Sequence, residues 1–131
     1  MKGFFPDKSD HGAVTPFEYL PASAITPKAG LALVLTNGLL ALATGAAAPT
    51  YICMKDADAA GTIIPVVRVD KDRIYETTNS AAFSSAKIGQ KVTLHTDGLQ
   101  VTATTASGVA EIVDFDDKAK SGAGGTVHVR F

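Results

Sequence analysis

Apolar runs flank Asn37-Gly38, and apolar runs flank Asp97-Gly98; no other feature narrows the fold as much. Asn-Gly and Asp-Gly favour the type I′ turn, which needs positive φ at both central residues and whose twist matches that of paired strands. Residues 31–35 (Leu-Ala-Leu-Val-Leu) therefore return as residues 39–43, and residues 92–96 return as residues 99–104. In the second return, Leu99, Val101 and Ala103 alternate with Gln100, Thr102 and Thr104, the period-2 pattern of a half-buried strand.

The two hairpins sit in similar surroundings. Lys28-Ala29-Gly30 aligns with Lys87-Ile88-Gly89, and Thr36-Asn37-Gly38-Leu39 with Thr96-Asp97-Gly98-Leu99. Ala43-Thr44 then falls on Ala103-Thr104, Ile52 on Ile112, and Val66-Val67-Arg68-Val69 on His128-Val129-Arg130-Phe131. One single-residue insertion before the second turn and one later two-residue shift suffice, and the preserved order points to a duplication. Each unit would add to its hairpin a third strand (50–54; 109–115) and a fourth (63–69; 126–131). The fold class this implies is all-β: a small antiparallel barrel or sandwich from two related β-units. The units are residues 27–69 and 87–131 of a single β domain, 27–131, with residues 70–86 as a linker that holds one further strand at 73–78. Residues 55–61 read as a polar loop, and residues 116–125, rich in Gly, Ala and Lys, as a mobile tip.

Residues 1–26 differ. Pro6, Pro16 and Pro21 exclude a regular helix or a central strand there. Yet Phe4, Phe5, Phe17, Tyr19 and Leu20 are not the residues of a disordered tail. An extended N-terminal arm lying on a surface, its own or a partner's, reconciles the two.

Charge and cysteine content limit the function. Twelve basic residues against thirteen acidic ones leave a net charge of -1, without the basic excess of a nucleic-acid-binding surface. Cys53 is the single cysteine, placed in an apolar stretch, and reads as a buried structural thiol. The N-terminus lacks the apolar core of a signal peptide, and residues 39–49 are too few and too rich in Ala and Gly to span a bilayer. Synthesis in the bacterial cytoplasm without membrane insertion is the expectation.

Chemistry-bearing motifs are sparse. His11, His95 and His128 fall in no metal-ligand spacing, Asp56-x-Asp58 lacks the rest of a calcium loop, and no nucleophile elbow occurs. The Gly122-x-Gly124-Gly125 run precedes a strand, so no helix N-terminus follows to hold a phosphate. The expectation is that the chain is not an enzyme and has no catalytic, cofactor-binding or metal-ligating residues. The candidate partner-binding residues are Phe4, Phe5, Phe17, Tyr19 and Leu20 of the arm, together with Arg68 and Arg130 at matching places in the fourth strands. For the arginines, the plainer reading is stem packing plus a nearby acid such as Asp70 or Asp116.

Residues 12–21 (Gly-Ala-Val-Thr-Pro-Phe-Glu-Tyr-Leu-Pro) lead into Lys28-x-Gly30 and residues 48–54 (Ala-Pro-Thr-Tyr-Ile-Cys-Met). With Ile64-Pro65-Val66-x-Arg68-Val69, Lys87-x-Gly89-x-Lys91-Val92 and the closing Val127-x-Val129-Arg130, the chain resembles small prophage-encoded head proteins of gut Firmicutes phages. These are capsid-accessory proteins of the decoration type. The resemblance implies a barrel-like protein on the capsid exterior of the virion, a homo-oligomer with a trimer favoured, bound to the major capsid protein and reinforcing the shell. Two other readings stand beside it: a tail or adhesion module that binds carbohydrate through residues 55–61 and 116–125, and a small hydrolase whose site assembles only in space.

Overall fold

The computed structural model describes residues 3–9, 17–56, 63–84 and 86–131. They form strands β1 (Phe5–Ser9), β2 (Phe17–Pro21), β3 (Ala32–Thr36), β4 (Leu39–Leu42), β5 (Tyr51–Cys53) and β6 (Ile63–Arg68). There follow β7 (Arg73–Asn79), β8 (Lys91–Val92), β9 (Gln100–Val101), β10 (Ala110–Phe115), the short helix α1 (Asp117–Ser121) and β11 (Thr126–Arg130). The expected all-β class is what the chain adopts.

One sheet has the order β2-β6-β5-β3-β4; the other runs β1-β7-β11-β10-β8, with β9 also pairing β7. A bridge between Leu94 and Val101 joins the β8 side to β9, and β9 runs parallel to β7. Pairing thus passes around this sheet and nearly closes it into a barrel. In the first sheet a parallel bridge from Ala22 to Leu40 brings the β2 end toward β4 in the same sense.

The two halves pair in matching registers. Ile52 faces Val67 and Tyr51 faces Arg68, as Ile112 faces Val129 and Glu111 faces Arg130. Both units enter through the same turn. Lys28 O accepts from Leu31 N–H at 3.1 Å and Lys87 O from Gln90 N–H at 3.0 Å, with Gly30 and Gly89 at φ of 88° and 90°. The unit is also larger than the sequence suggests. β7, expected as a strand within a linker, lies beside β11 as β2 lies beside β6, so each half carries five strands in one arrangement.

The glycine turns differ. Asn37 and Gly38 both have positive φ, as a type I′ turn requires. Of the second pair only Gly98 does. There His95 O accepts from Gly98 N–H at 3.0 Å and His95 N–H reaches Gln100 O at 2.9 Å, giving a longer loop. The inserted residue before this turn accounts for the difference.

The arm is built into the chain's own sheets. β1 pairs antiparallel with β7, and β2 with β6. Ahead of β1, Gly3 N–H donates to Leu99 O at 3.0 Å and Phe4 N–H to Gly30 O at 2.7 Å, touching both halves. Gly3 and Gly30 pass so closely that a Cβ on Gly3 would lie 2.8 Å from Gly30 Cα. Phe4 then enters the larger core cluster, which mixes Ala32, Ile52 and Val67 of the first half with Tyr75, Ile112, Val127 and Val129 of the second. A smaller cluster of Leu33, Leu40, Tyr51, Cys53, Ile64 and Val66 fills the other face of the first sheet.

Residues 116–125, expected as a mobile tip, are instead a pinned element. Asp116 caps α1, its Oδ1 accepting from Ala119 N–H at 2.8 Å. The fully buried Asn79 holds the rest: the two hydrogens of its Nδ2 are shared among the carbonyls of Ala81, Ala119 and Gly122 at 2.7, 2.9 and 2.9 Å. Its Oδ1 accepts from Gly125 N–H at 2.8 Å. Gly125 has to be glycine, because a Cβ there would sit 2.1 Å from Ala119 N.

Removing one member of a buried, fully bonded polar group strands its partners. Asn79→Ala is expected to cost about 3 kcal/mol of unfolding free energy in urea titration, whereas Ala123→Ser, on the exposed outer turn, changes it by less than about 0.5 kcal/mol.

Candidate functional site

Alternation along β2 sorts the arm's side chains. Phe17 and Tyr19 take one face, Glu18 and Leu20 the other. Leu20 packs against the smaller core cluster, while Phe17 and Tyr19 are 54% and 68% exposed. Register sets Phe17 opposite Val67, Tyr19 opposite Pro65 and Pro21 opposite Ile63. Ile63, absent from the sequence candidates, is 68% exposed on that same face. Val67, Ile52 and Ala32 continue the face across β6, β5 and β3 into the larger core. One apolar face is therefore covered by the second half at one end and open at the other. The signal for Ile63 lay in the period-2 row Ile63, Pro65, Val67, which could be placed only once the partner strand was known.

Phe4 calls for a correction: it is fully buried in the chain's own core, tilted against Phe131 at 5.4 Å between ring centroids, so it is not offered to a partner. Phe131 lies equally close to Tyr75 at 5.4 Å. Phe5 is half-buried, its ring edge near Gly30.

The two arginines share a register position and differ in surroundings. Arg68 is exposed, with Nη2 3.3 Å from Glu18 Oε1 and its guanidinium carbon 5.1 Å from the Tyr51 ring centroid. Its acid is Glu18 across β2, not the Asp70 expected from proximity in sequence. Asp70 Oδ1 instead accepts from Asp72 N–H at 2.9 Å. Arg130 is partly buried opposite Glu111. In the second half Asp116 spends its carboxylate on the α1 cap and on Thr126 N–H. The N–H of Ala119 above all, and then that of Thr126, keep this carboxyl below its ordinary range.

His128 lies in a cross-strand row between Asp114 of β10, which its Nδ1 contacts, and Glu76 of β7, 3.3 Å from its Nε2. Among the described residues, no group of three or more His, Cys, Asp and Glu side chains is arranged to hold a metal ion. Cys53 is buried, its Sγ 3.2 Å from Lys55 O, and burial pushes its thiol pKa up. Asp56 is engaged with Ala29 N–H at 2.7 Å; Asp58 and the rest of that loop, residues 57–62, lie outside the described residues. Gly12 and residues 13–16 of the arm do so as well. No described helix is long and apolar enough to cross a membrane.

At the second glycine turn, Asp97 organises the loop. Its Oδ1 accepts from Leu99 N–H at 2.8 Å and its Oδ2 from Gln100 Nε2 at 3.0 Å, with His95 Nδ1 3.3 Å away. Partial burial raises its carboxyl pKa, but the Leu99 and Gln100 hydrogen bonds and the imidazole outweigh burial and leave it below the ordinary value. Asp97 also lines a cleft of about 230 Å3 with Ile25, Lys28, Leu31 and Leu42.

Comparison with known proteins finds no matching family model, no matching curated protein and no matching solved structure.

A carboxyl with a lowered folded-state pKa stabilises fully above its unfolded value, and the gain is lost as pH falls through the folded value. Asp97→Asn is expected to lower Tm by about 3 °C at neutral pH. The gap from the parent chain should close as pH drops below the ordinary carboxylate range, as read by thermal melts at a series of pH values.

Proposed function

We propose that this chain is a structural virion protein of the decoration type, which binds the outer surface of a phage head and assembles with copies of itself. The observation that carries the reading is the open apolar strip of Phe17, Tyr19 and Ile63. Large side chains exposed together on a sheet face are the usual mark of a protein-binding surface. A strand face also suits recognition of another chain, since its alternate side chains present a regular row. Among the residues that carry the resemblance to phage head proteins are Phe17 and Tyr19 of the strip and residues 64–68 of the strand beside it. The interlocked sheets support the same reading, because a rigid scaffold loses little conformational freedom on docking.

The test is co-sedimentation of the purified chain with expanded capsids of the phage whose head genes accompany it, alongside solution mass measurement. The parent chain should pellet with capsids. Phe17→Ser, Tyr19→Ser and Ile63→Ser together should reduce binding at least about tenfold while leaving Tm within a few degrees, because these side chains are mostly exposed in the free protein. Binding that survives the triple substitution, or a parent chain that never pellets, would overturn the reading.

A further inference from the structure

The two sheets differ at one edge. In the second half β7 has neighbours on both sides: β11 on one, and on the other β1 along residues 73–76 and β9 along residues 78–79. Its counterpart in the first half, β2, has β6 on one side. On the other side β4 reaches only the end of the strand, through the bridge of Leu40 with Ala22. The registers match residue by residue: Phe17 faces Val67 as Tyr75 faces Val129, and Tyr19 faces Pro65 as Thr77 faces Val127. Tyr75 and Thr77 are fully buried, whereas Phe17 and Tyr19 are more than half exposed. Among the described residues, no strand lies outside residues 17–19 in the place that β1 takes outside β7.

Pro65 fixes which way the β2 backbone points. It has no N–H, and its carbonyl accepts from Met54 N–H on the β5 side at 3.0 Å. Tyr19 and Pro65 are therefore a non-hydrogen-bonded pair, and Tyr19 turns its own N–H and C=O away from β6. By the period of two Phe17 does the same, while Glu18 and Leu20 bond to β6. Among the described residues, no hydrogen bond reaches the Phe17 or Tyr19 backbone from that outer side. Two donors and two acceptors thus stand in line beside two exposed rings, the arrangement that accepts an added strand.

Glu18 sets what the added strand should carry. Its side chain lies on the face opposite Phe17 and Tyr19, and Arg68 meets it from the β6 side at 3.3 Å, leaving it 35% exposed. A cation directly across from Glu18 on the incoming strand completes a row of alternating charge. The positions on either side of that cation face the Phe17 and Tyr19 rings and suit branched apolar side chains. A second copy of this chain fits less well. The two-fold register that joins all the outward groups pairs Phe17 with Tyr19 of the other copy, and it sets Glu18 directly against Glu18.

We propose that the outer edge of β2 takes up an extended strand of a partner protein, antiparallel as β1 is on β7. The strand carries a basic residue opposite Glu18 and branched apolar residues opposite Phe17 and Tyr19. The proposal rests on the chain's being a protein-binding module, but not on the capsid as the partner.

The test reads the edge itself, by amide hydrogen exchange in the isotope-labelled full chain, and involves no capsid, so a chain that never pellets with capsids leaves its outcome untouched. In the free chain the Phe17 and Tyr19 amides should exchange at least about tenfold faster than those of Glu18 and Leu20, which bond to β6. The probe is the peptide acetyl-Ser-Thr-Val-Lys-Val-Thr-Ser-amide, titrated into the millimolar range. It should slow exchange at Phe17 and Tyr19 at least about threefold and leave Glu18 and Leu20 unchanged. Glutamate in place of its lysine should weaken binding about fivefold, and methylation of its two valine nitrogens should abolish it. Tyr19→Pro, which removes an outward N–H and no bond to β6, should also abolish binding with the spectrum otherwise preserved. Slow exchange at Phe17 and Tyr19 in the free chain at every concentration would overturn the proposal. Protection that rises with protein concentration alone would overturn it in favour of a second copy. A peptide that protects neither amide, equal binding of the lysine and glutamate peptides, or binding that survives methylation or Tyr19→Pro would each overturn it as well.

Discussion

The contact on which the rest of the molecule depends is the passage of Gly3 over Gly30. Two backbones meet there at a separation no Cβ would tolerate, both at positive φ. That approach lets Phe4 N–H bond to the first half while Gly3 N–H bonds to the second. The Phe4 ring then drops into the cluster the halves share. Neither half alone closes this cluster, since Ala32, Ile52 and Val67 come from one and Ile112, Val127 and Val129 from the other. Two further backbone links, Ala32 N–H to Gly98 O at 2.9 Å and the mutual bonds of Gly45 and Leu94, hold the same seam. The N-terminal segment is thus a structural element that stitches the two halves together.

The two halves share one strand arrangement, but their ends differ. In the first half the face that would continue past Val67 is left open at Tyr19 and Ile63, while Arg68 is exposed on the opposite face with Glu18. The second half spends its corresponding region on cohesion: Asn79 gathers the turn after β7 and the α1 segment, and Phe83 meets Phe115 edge-on at 5.1 Å. This asymmetry concentrates the exposed large apolar side chains on the first half.

Much of this was legible in the residues. The hairpins, the alignment of Ile52 with Ile112 and the alignment of Arg68 with Arg130 survive as matched registers, because period-2 patterning and turn chemistry are local signals. What could not be read were the consequences of long-range pairing. Phe4, Phe17 and Leu20 are equally apolar in sequence; burial, exposure and half-burial follow from where each strand lands. The helix at Asp117–Ser121 was hidden by its glycine-rich surroundings, although Asp116 as cap with Asp117 in the first turn is an N-terminal signature and the lysines of the last turn a C-terminal one. Asn79 looked like the end of a strand, and nothing near it in sequence announces partners forty or more residues away.

The meeting of Phe4 with Phe131 has a consequence for how the molecule forms. The larger core is sealed by rings from opposite ends of this stretch, so its final packing waits for the last strand to be made. Early hairpins can form as the chain emerges, but they do so with an unfinished interior and with β1 lacking its neighbour β7. A copy truncated anywhere before β11 would lack Val127, Val129 and the Phe131 ring and would carry its half-built apolar faces into the surrounding solution.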